Sequence, residues 1–391
     1  MQTEQKAMTA TLARYVEMES PSGAAEPIAT LVSAIAKDFS AIGGQVRLHR
    51  LKDHGPALQV DFPGPRRSPR LLLLGHVDTV YPLGTLRTMP WREKTGKLSG
   101  PGVFDMKAGI VQALFALRAL LAEGPLRCSV RLFLVPDEEI GSPASQPLTE
   151  KLAMKADAVL VLEPAAGVEG ACKTSRKGVG RYTLRVTGRA SHAGLDFERG
   201  ASAIVEAAHQ VEAIHALCQP EKGLTLNPGL ITGGTRPNVV AEQAEIVVDL
   251  RFFSAAQAKR ADAALHRLRP HDPRCSLELT GGVERWAFER SPATVRLYRV
   301  AQKAARGIGV GVGVGVGVGA GFELAEKAVG GGSDGNLTAA LGIPTLDGLG
   351  GVGDGAHAPH EFVFARELPR RAALLAGLIS ALATGEGLVR G

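Results

Sequence analysis

The chain has 391 residues, of which 45% are hydrophobic and 21% are charged, a balance typical of globular proteins and sufficient for two domains. The formal net charge is +6, but the dense basic run at residues 65–70 contains no aromatic residue, so we expect a solvated turn and no nucleic-acid partner. Because no run of about 18 apolar residues is present, we also expect no contact with a membrane.

The cysteines and the N-terminal segment indicate in which cellular compartment the protein is expected. The four cysteines are widely scattered, with no pair at metal-ligand spacing, and we interpret them as reduced, mostly buried thiols. Residues 1–23 are amphipathic and of mixed charge, without the apolar core of a secretory signal. We therefore expect a cytoplasmic protein.

Three short apolar runs predict strands that are buried on both faces, as in a parallel sheet. They cover residues 71–74, 130–135 and 158–162, and each ends at ionisable residues. Between the first two runs, apolar residues at helical spacing predict a helix from Met106 to Leu121. This order indicates a βαβ unit, and open α/β sheets bind ligands at the carboxyl ends of their strands. The polar residues that follow the strands are therefore expected to converge.

The sequence pattern of the α/β domain stops near residue 179 and resumes near residue 289. In this stretch, alternation and helical spacing predict the order βαββαβ, which is that of a ferredoxin-like α+β domain. We expect residues 179–288 to form an inserted domain, within a catalytic domain made of residues 1–178 and 289–391. The elements of the inserted domain are predicted at 181–188, 201–217, 224–232, 244–253, 255–268 and 275–280.

Residues 307–321 alternate glycine and valine over most of their length. Alternation suggests a strand, but glycine at every second position removes one face and increases the backbone entropy that folding must overcome. We interpret the run as a flexible or weakly paired connection. It is not a phosphate-binding loop, because no GK[ST] sequence accompanies it.

Side chains suited to metal binding follow the predicted strands, precede the predicted helix or stand late in the chain. Zinc accepts imidazole nitrogens and carboxylate oxygens, and two zinc ions that share a carboxylate can activate water for amide hydrolysis. Each residue alone has a simpler explanation, such as a helix cap for Asp105 or a solvated loop for the glutamate pair. Their order and contexts together favour a hydrolytic metal centre. The residues are His76, Asp78, Asp105, Glu138, Glu139, Glu163 and His357.

Nine segments carry a more specific pattern. They are LLLLGHVDTVYP (71–82), GPGVFDMKAG (100–109), PDEEIGS (136–142), LEPA (162–165), GRASHAG (188–194), RPNVV (236–240), DLRF (249–252), GGGSDGN (330–336) and GAHAPHEFV (355–363). In content and order they resemble the aminoacylase and glutamate carboxypeptidase family of dinuclear zinc peptidases. The resemblance covers most of the chain. It implies an α/β catalytic domain with a mixed, largely parallel sheet flanked by helices, plus an inserted ferredoxin-like dimerisation (lid) domain.

The resemblance also implies two zinc ions per subunit, with cobalt or manganese as alternatives. His76 and Glu163 resemble ligands of one ion, and Glu139 and His357 resemble ligands of the other. Asp105 resembles the carboxylate that bridges the two ions.

Two details of this centre follow from the same resemblance. His360 competes with His357 for the last ligand position, and we choose His357 because the family pattern places the ligand after an alanine. The peptide bond between Asp105 and Met106 is expected to be cis.

The resemblance assigns further roles next to the metal ions. Glu138 resembles the general base, which takes a proton from a zinc-bridging water and passes it to the leaving amine. Asp78 resembles the group that orients His76. His192 resembles a residue that reaches the active site of the partner subunit and stabilises the oxyanion.

Four residues resemble groups that bind the substrate. Asn238 and Arg251 resemble those that hold its free carboxylate, because a guanidinium can bind a carboxylate with two hydrogen bonds. The alternative for Arg251 is a cross-strand ion pair within its own sheet. Gly332 and Ser333 are expected to let the backbone approach the substrate closely.

The implied function is hydrolysis of the amide bond adjoining a C-terminal amino acid, because segments 178–194 and 236–240 are most similar to the glutamate carboxypeptidase branch. One alternative is an N-acyl-amino-acid deacylase of the acetylornithine deacetylase or succinyl-diaminopimelate desuccinylase type. Another is a non-catalytic protein that binds amino-acid derivatives, which would be expected to lack a ligand or the base. We expect a small peptide or an N-acyl amino acid as substrate, and a homodimer formed through the inserted domain.

Overall fold

The structure is a computed structural model that describes residues 2–308 and 321–388. Residues 309–320, the greater part of the Gly-Val run, lie outside the described residues, so the interpretation of that run stays a prediction. The helices are α1 Gln2–Val16, α2 Ala25–Ala41, α3 Ala108–Ala122, α4 Gln146–Ala153, α5 Ala203–His215, α6 Ala255–Leu265, α7 Pro292–Gly307, α8 Asp334–Ala340 and α9 Glu367–Leu382. The strands are β1 Gln45–Leu51, β2 Gly55–Phe62, β3 Arg70–His76, β4 Arg92–Lys94, β5 Lys97–Ser99, β6 Ser129–Val135, β7 Ala158–Val161, β8 Cys172–Arg176, β9 Gly178–Thr187, β10 Ser191–His192, β11 Thr225–Gly233, β12 Val239–Val240, β13 Gln243–Phe252, β14 Ser276–Arg285, β15 Glu326–Val329, β16 Thr345–Leu346, β17 Gly353–Asp354 and β18 Phe362–Phe364.

The chain divides into two compact units. The first comprises Met1–Thr174, Arg290–Val329 and Ser333–Gly391, and the second comprises Ser175–Glu289 and Gly330–Gly332. Each unit has a hydrophobic core of its own.

The first unit is built on a six-stranded sheet with the strand order β1-β2-β6-β3-β7-β16. The pairs β6–β3, β3–β7 and β7–β16 are parallel, whereas β1–β2 and β2–β6 are antiparallel. The sheet is therefore mixed and largely parallel, and hydrophobic clusters that include helical residues cover it on both faces. The predicted α/β fold class is confirmed.

The four leucines of β3 show why the apolar runs predicted buried strands. Leu71 and Leu73 belong to the larger hydrophobic cluster, which also contains residues of α3 and α9. Leu72 and Leu74 belong to a second cluster, which contains residues of α4. Because successive side chains of a strand point to opposite faces, a continuous apolar run is what a strand covered on both faces requires.

Helix α3 begins at Ala108, two residues later than predicted. Asp105 (φ −111°, ψ 93°) and Met106 (φ −133°, ψ 32°) lie outside the helical region, and the peptide bond between them is cis, as expected. The residue before α3 is Lys107, whose side chain makes no capping hydrogen bond. The helix-cap explanation for Asp105 is therefore wrong, and its carboxylate is available for another role.

The second unit contains a four-stranded antiparallel sheet with the order β11-β13-β9-β14. Together with α5 and α6 this is the predicted βαββαβ arrangement, which is confirmed. In β9, Tyr182 and Leu184 are buried while Arg181 and Arg185 are exposed, so helices cover one face and solvent meets the other. Ser254 begins α6 with a capping box, in which the Ser254 hydroxyl and the Gln257 side chain each accept the other residue's backbone N–H.

Among the described residues, no helix combines the length and the hydrophobicity that crossing a bilayer requires.

Candidate metal centre

Four of the predicted site residues lie at the carboxyl ends of three adjacent parallel strands. His76 is the last residue of β3. Glu138 and Glu139 form a 3-10 turn shortly after β6, and Glu163 follows β7 by two residues. Because β6, β3 and β7 are neighbours in the sheet, their ends bring these side chains to one edge, as the topology of an open α/β sheet predicts.

Two more residues reach the same place from outside this sheet. Asp105 precedes α3. His357 lies in the turn between β17 and β18, which belong to a small sheet with the order β17-β18-β5-β4. His357 adopts φ +63°, a left-handed conformation that is uncommon for residues other than glycine and is often found at functional sites.

The carboxylate of Asp105 lies between two histidines. Its Oδ1 is 3.1 Å from Nε2 of His76, and its Oδ2 is 3.4 Å from Nε2 of His357. Each oxygen therefore faces a different imidazole, which is the arrangement expected of a carboxylate shared by two metal ions.

Each histidine has a second carboxylate beside it. Nε2 of His76 is 3.4 Å from Oε1 of Glu163, and Nε2 of His357 is 3.0 Å from Oε2 of Glu139. The contacts thus divide into a His76–Glu163 set and a His357–Glu139 set, with Asp105 common to both. Proximity within 4.8 Å also groups His76 with Glu138 and Glu163, and His76 with Asp105 and Glu139. The second of these wider groups joins Glu139 to His76 and so crosses the two sets. The division into two sets therefore rests on the direct contacts.

This donor set fits divalent metal ions. It consists of imidazole nitrogens and carboxylate oxygens, which zinc and similar ions bind readily. The side chains of Asp105, Glu139 and Glu163 are only 14%, 6% and 9% exposed. Three largely buried carboxylates beside two imidazoles favour positive charge at the site, which divalent metal ions would supply when bound.

The ionisation of the cluster supports the same conclusion. Burial lowers the pKa of His76, but hydrogen bonds with Asp105, Asp78 and Glu163 outweigh burial and hold that pKa well above its ordinary value. Contacts with Asp105 and Glu139 raise the pKa of His357 to about 10. The carboxylates thus attract protons to both histidines, and metal ions compete with those protons for the same nitrogens.

Asp78 orients several groups at once. Nδ1 of His76 is 3.0 Å from the backbone oxygen of Asp78 and 3.4 Å from its Oδ1. The carboxylate of Asp78 accepts the N–H groups of Glu138 at 3.2 Å and Glu139 at 3.1 Å, and the hydroxyl of Ser22 at 2.7 Å. Asp78 therefore positions the glutamate turn as well as the histidine, which the sequence had not indicated.

The pattern of Peptidase family M20/M25/M40 matches residues 72–381 of the chain. The chain belongs to this family. It is 30% identical to carboxypeptidase G2 of Pseudomonas sp. (strain RS-16) over 394 residues, which cover 98% of this chain and 91% of that protein. It is also 30% identical to the putative succinyl-diaminopimelate desuccinylase DapE of Mycobacterium tuberculosis over 300 residues, which cover 72% of this chain and 74% of that protein.

Solved structures share the fold of this M20 peptidase. Aminopeptidase PepT from Bacillus cereus matches with a TM-score of 0.77 at 21% identity, over 97% of this chain and 99% of that one. The YXEP protein of Bacillus subtilis, described as a dinuclear metal binding peptidase from the M20 family, matches with a TM-score of 0.69 at 14% identity, over 98% and 99%. The predicted family and enzyme class are confirmed: the chain is an M20 metallopeptidase.

Two residues of this M20 peptidase were missed by the sequence analysis. Glu361 is buried and accepts three backbone N–H groups from the segment that carries Asp105. Burial raises the pKa of Glu361 to about 7, although these N–H groups and Tyr81 favour its ionised form. The Tyr81 hydroxyl donates to the backbone oxygen of Ala358 at 3.0 Å. Both residues lie inside the quoted motifs, but no spacing rule distinguished them from their neighbours.

Ser333 lies in the first unit and caps α8. Its Oγ accepts the N–H of Gly335 at 3.0 Å and donates to Asp347 at 2.7 Å, and its side chain is fully buried. The side chain is therefore engaged by the helix start. The backbone is engaged as well, because its N–H donates to Oδ1 of Asn336 at 3.0 Å and its oxygen accepts the N–H of Asn336 at 3.0 Å. In the second unit, the backbone oxygen of Gly332 accepts a hydrogen bond from Arg176 at 3.0 Å.

The other predicted residues of the second unit have partners within that unit. Nδ1 of His192 accepts the N–H groups of Gly194 at 3.1 Å and Leu195 at 3.2 Å, so the neutral ring carries its proton on Nε2. The backbone oxygen of Asn238 accepts the N–H of Ala193 at 3.0 Å.

Arg251 forms an ion pair within its own strand. Its Nε and an Nη donate to the two carboxylate oxygens of Asp249 at 2.8 and 3.0 Å. This bidentate pair replaces the cross-strand pair that was the alternative for Arg251. Any substrate carboxylate bound by Arg251 therefore competes with Asp249.

Proposed function

We propose that this M20 peptidase hydrolyses the amide bond adjoining a C-terminal amino acid, in the manner of a glutamate carboxypeptidase. The observation that carries the proposal is the position of Asp105 between His76 and His357, with Glu138 in the same cluster. The similarity to carboxypeptidase G2 over 98% of the chain supports the carboxypeptidase activity.

We propose two Zn²⁺ ions per subunit as the cofactor, with Co²⁺ or Mn²⁺ as alternatives. His76 and Glu163 would hold one ion, Glu139 and His357 the other, and Asp105 would bind both. When bound, such a pair polarises a carbonyl group and lowers the pKa of water.

Glu138 is the general base of the proposed mechanism. It takes a proton from the attacking water and delivers it to the nitrogen of the leaving amine. Its backbone N–H is held by Asp78, and it is adjacent to Glu139 in the same 3-10 turn. The turn that supplies a metal ligand therefore also aims the base.

Residues of the second unit, the proposed lid domain, complete the reaction in this proposal. His192 carries its proton on Nε2, so it can donate a hydrogen bond to the oxyanion of the partner subunit's substrate. Asn238 and Arg251 bind the free carboxylate of the substrate. Gly332 and Ser333 let the backbone approach the substrate closely.

The action of His192 in the partner's site requires a homodimer, which we propose to form through the second unit. Strand β11 is one of the two edges of its sheet, and Leu230 and Ile231 on it are 66% and 55% exposed. An exposed apolar edge strand is a surface on which another strand pairs. The β11 strand of a second copy offers the same surface. If the two β11 strands paired across a two-fold axis, each would provide hydrogen-bond partners for the other.

We propose the cytoplasm as the compartment. All four cysteines are free, three of them buried, as expected for a protein kept in a reducing environment.

The test is a substrate profile of the purified, zinc-loaded dimer together with the variant Glu138→Gln. We expect release of C-terminal amino acids from small peptides or acyl amino acids, and a loss of kcat by about 10²- to 10⁴-fold in the variant. Glu93→Gln, on an exposed strand of the small sheet, serves as the matched control and should retain full activity. Unchanged hydrolysis by Glu138→Gln at full metal content would falsify the assigned mechanism.

A second candidate is an N-acyl-amino-acid deacylase. The similarity to DapE over 72% of the chain favours it. Competing substrates distinguish the two: a carboxypeptidase prefers peptides and acyl-glutamates, whereas a deacylase prefers N-acetyl or N-succinyl amino acids. If the intact, metal-loaded protein bound such compounds without hydrolysing any, the remaining alternative, a non-catalytic binder, would replace both.

A further inference from the structure

Glu361 connects two segments of the first unit that lie far apart in the chain. Its side chain is fully buried, and both carboxylate oxygens accept backbone hydrogen bonds. Oε1 accepts the N–H groups of Phe104 at 2.7 Å and of Asp105 at 2.9 Å, and Oε2 accepts that of Gly102 at 3.0 Å. One carboxylate thus binds three N–H groups within residues 102–105.

These N–H groups need an acceptor from outside the segment, because residues 102–105 are not a regular helix or strand. Gly102 has φ +71°, and Asp105 has φ −111° and ψ 93°. A buried backbone N–H without a partner is unfavourable. By accepting the N–H of Asp105 itself, Glu361 holds the backbone from which the shared carboxylate projects.

The same residue ends the turn that carries His357. Within this turn, the N–H of Ala358 donates to the oxygen of Gly355 at 2.9 Å, and the N–H of Glu361 donates to the oxygen of Ala358 at 3.0 Å. The Tyr81 hydroxyl also donates to the oxygen of Ala358. Burial, and after it the charge of the adjacent Glu361 carboxylate, raises the pKa of Tyr81. The left-handed backbone of His357 is a conformation that surrounding contacts must maintain.

We infer that Glu361 is a positioning residue for the metal centre. Its carboxylate couples the Asp105 segment to the His357 turn and so sets the separation between Oδ2 of Asp105 and Nε2 of His357, which is 3.4 Å. The inference rests on the proposed function only in taking these two residues as metal ligands. Glu361 acts through them, and the ion held by His357 and Glu139 depends on it most.

The proposal requires a carboxylate at position 361, since three donors must be accepted by two oxygens. A glutamine has one acceptor oxygen, and its amide NH₂ would face a backbone N–H, which is a contact between two donors. An alanine leaves all three N–H groups without an acceptor. The order of metal affinity is therefore expected to be wild type, then Glu361→Gln, then Glu361→Ala.

The experiment measures Zn²⁺ binding to the metal-free full-length protein by competition with a chelator. Glu361→Gln is expected to lower the affinity for the Zn²⁺ ion held by His357 and Glu139 by about 10- to 100-fold, the usual effect of removing a group that orients metal ligands. Two ions should still bind at saturation. The visible spectrum of the Co²⁺-loaded variant should differ from that of the wild type, because the ligands are displaced. Unchanged affinity and an unchanged spectrum would overturn the inference. Binding of a single ion at saturation would also overturn it, because Glu361 would then be a ligand.

Glu206→Gln is the matched control. Glu206 is also a buried carboxylate that accepts two backbone N–H groups, those of His271 at 3.0 Å and Asp272 at 2.8 Å, but it belongs to the second unit. Glu206→Gln and Glu361→Gln should both lower the unfolding temperature, but Glu206→Gln should leave the affinity for Zn²⁺ unchanged. If both variants lowered the affinity for Zn²⁺ equally, loss of stability alone would explain the effect and the inference would be overturned.

Tyr81→Phe provides a milder variant in case substitutions of Glu361 prevent folding. It removes the hydrogen bond to Ala358 and leaves the ring in place, so a smaller weakening of the same ion is expected, and no weakening contradicts the inference. Metal affinity is measured without substrate. A wild type that binds two ions but releases no C-terminal amino acid would therefore refute the proposed function while leaving the role of Glu361 intact.

Discussion

Oδ1 of Asp78 accepts the backbone N–H of Glu138 at 3.2 Å, although the two residues are 60 positions apart in the chain. The same carboxylate accepts the N–H of Glu139 through Oδ2. One side chain after β3 therefore sets the turn after β6, and the proposed base and a proposed ligand are oriented together.

Asp78→Asn tests this arrangement. The asparagine keeps the backbone oxygen that faces His76, but its NH₂ would meet the N–H of Glu138 or Glu139, so we expect the turn to shift. The predicted result is a fall in kcat of about 10- to 100-fold, together with weaker metal binding. Steady-state kinetics and a metal titration measure both. Ser22→Ala removes only one donor to the same carboxylate and should have a smaller effect. An Asp78→Asn enzyme with normal kcat would contradict the interpretation.

Gly109→Ala tests how closely α3 approaches the end of β7. A Cβ at this position would lie far inside van der Waals contact with the backbone oxygen of Leu162, the residue before Glu163. We expect a loss of about 1–3 kcal/mol in the free energy of unfolding, the usual effect of overpacking, and reduced activity from displacement of Glu163. Urea unfolding measures the first effect. Gly282→Ala, where a Cβ meets nothing within 4 Å, is the control, and a loss as large there would refute the explanation.

The lowered pKa of Glu206 predicts that the stability of the fold depends on pH, independently of the metal centre. Burial raises its pKa, but the N–H groups of Asp272 and His271 and the amide of Gln210 outweigh burial, and the pKa is lowered overall from 4.5. Because the folded pKa is the lower one, this residue contributes stability at neutral pH that is lost as the pH falls below about 4.5.

Urea unfolding of the wild type and of Glu206→Gln between pH 7 and pH 3.5 measures this contribution. The difference between their free energies of unfolding should be largest at neutral pH and should shrink as the pH falls through the folded pKa. A difference that stays constant over this range would exclude Glu206 as its source.

Arg251→Leu tests the proposed role in substrate binding. If Arg251 binds the substrate carboxylate, KM for substrates with a free C-terminal carboxylate should rise by about 10-fold or more, since hydrogen bonds to charged groups contribute about 1.5–3 kcal/mol. Substrates amidated at the C-terminus should be affected much less. Asp249→Asn, which removes the competing partner, should not raise KM. A pure loss of stability with unchanged KM would mean that the Asp249 pair is the only role of Arg251.

Subunit mixing tests the action of His192 in the partner's site. His192→Ala and Glu138→Gln should each be nearly inactive as homodimers. A mixed dimer contains one site with an intact Glu138 that receives an intact His192 from the other subunit, so mixing should restore activity. Co-expression with two different affinity tags isolates this species. A mixed dimer with no more activity than its parents would show that His192 does not act across the interface.

The strands of the first unit were predictable because short apolar runs in the sequence indicate which strands are buried. Leu71 to Leu74 are apolar on both faces, and the sheet covers them on both faces. The start of α3 was less predictable, because the backbone of Asp105 and Met106 is set by contacts that a local pattern does not contain. Glu361 supplies several of those contacts from 256 residues further along the chain.

Apolar patterning and motif order were enough to predict the family, the α/β fold class and the types of side chain at the ends of β3, β6 and β7. The partners of the carboxylates could not be predicted in this way. In the folded chain each oxygen of Asp105 faces a different histidine, and Asp78 holds the glutamate turn. Arg251 is paired with Asp249, and Glu361 holds the Asp105 segment. Hydrogen bonds and ion pairs depend on distance and direction in space, and the folded core, rather than spacing along the chain, brings these groups together.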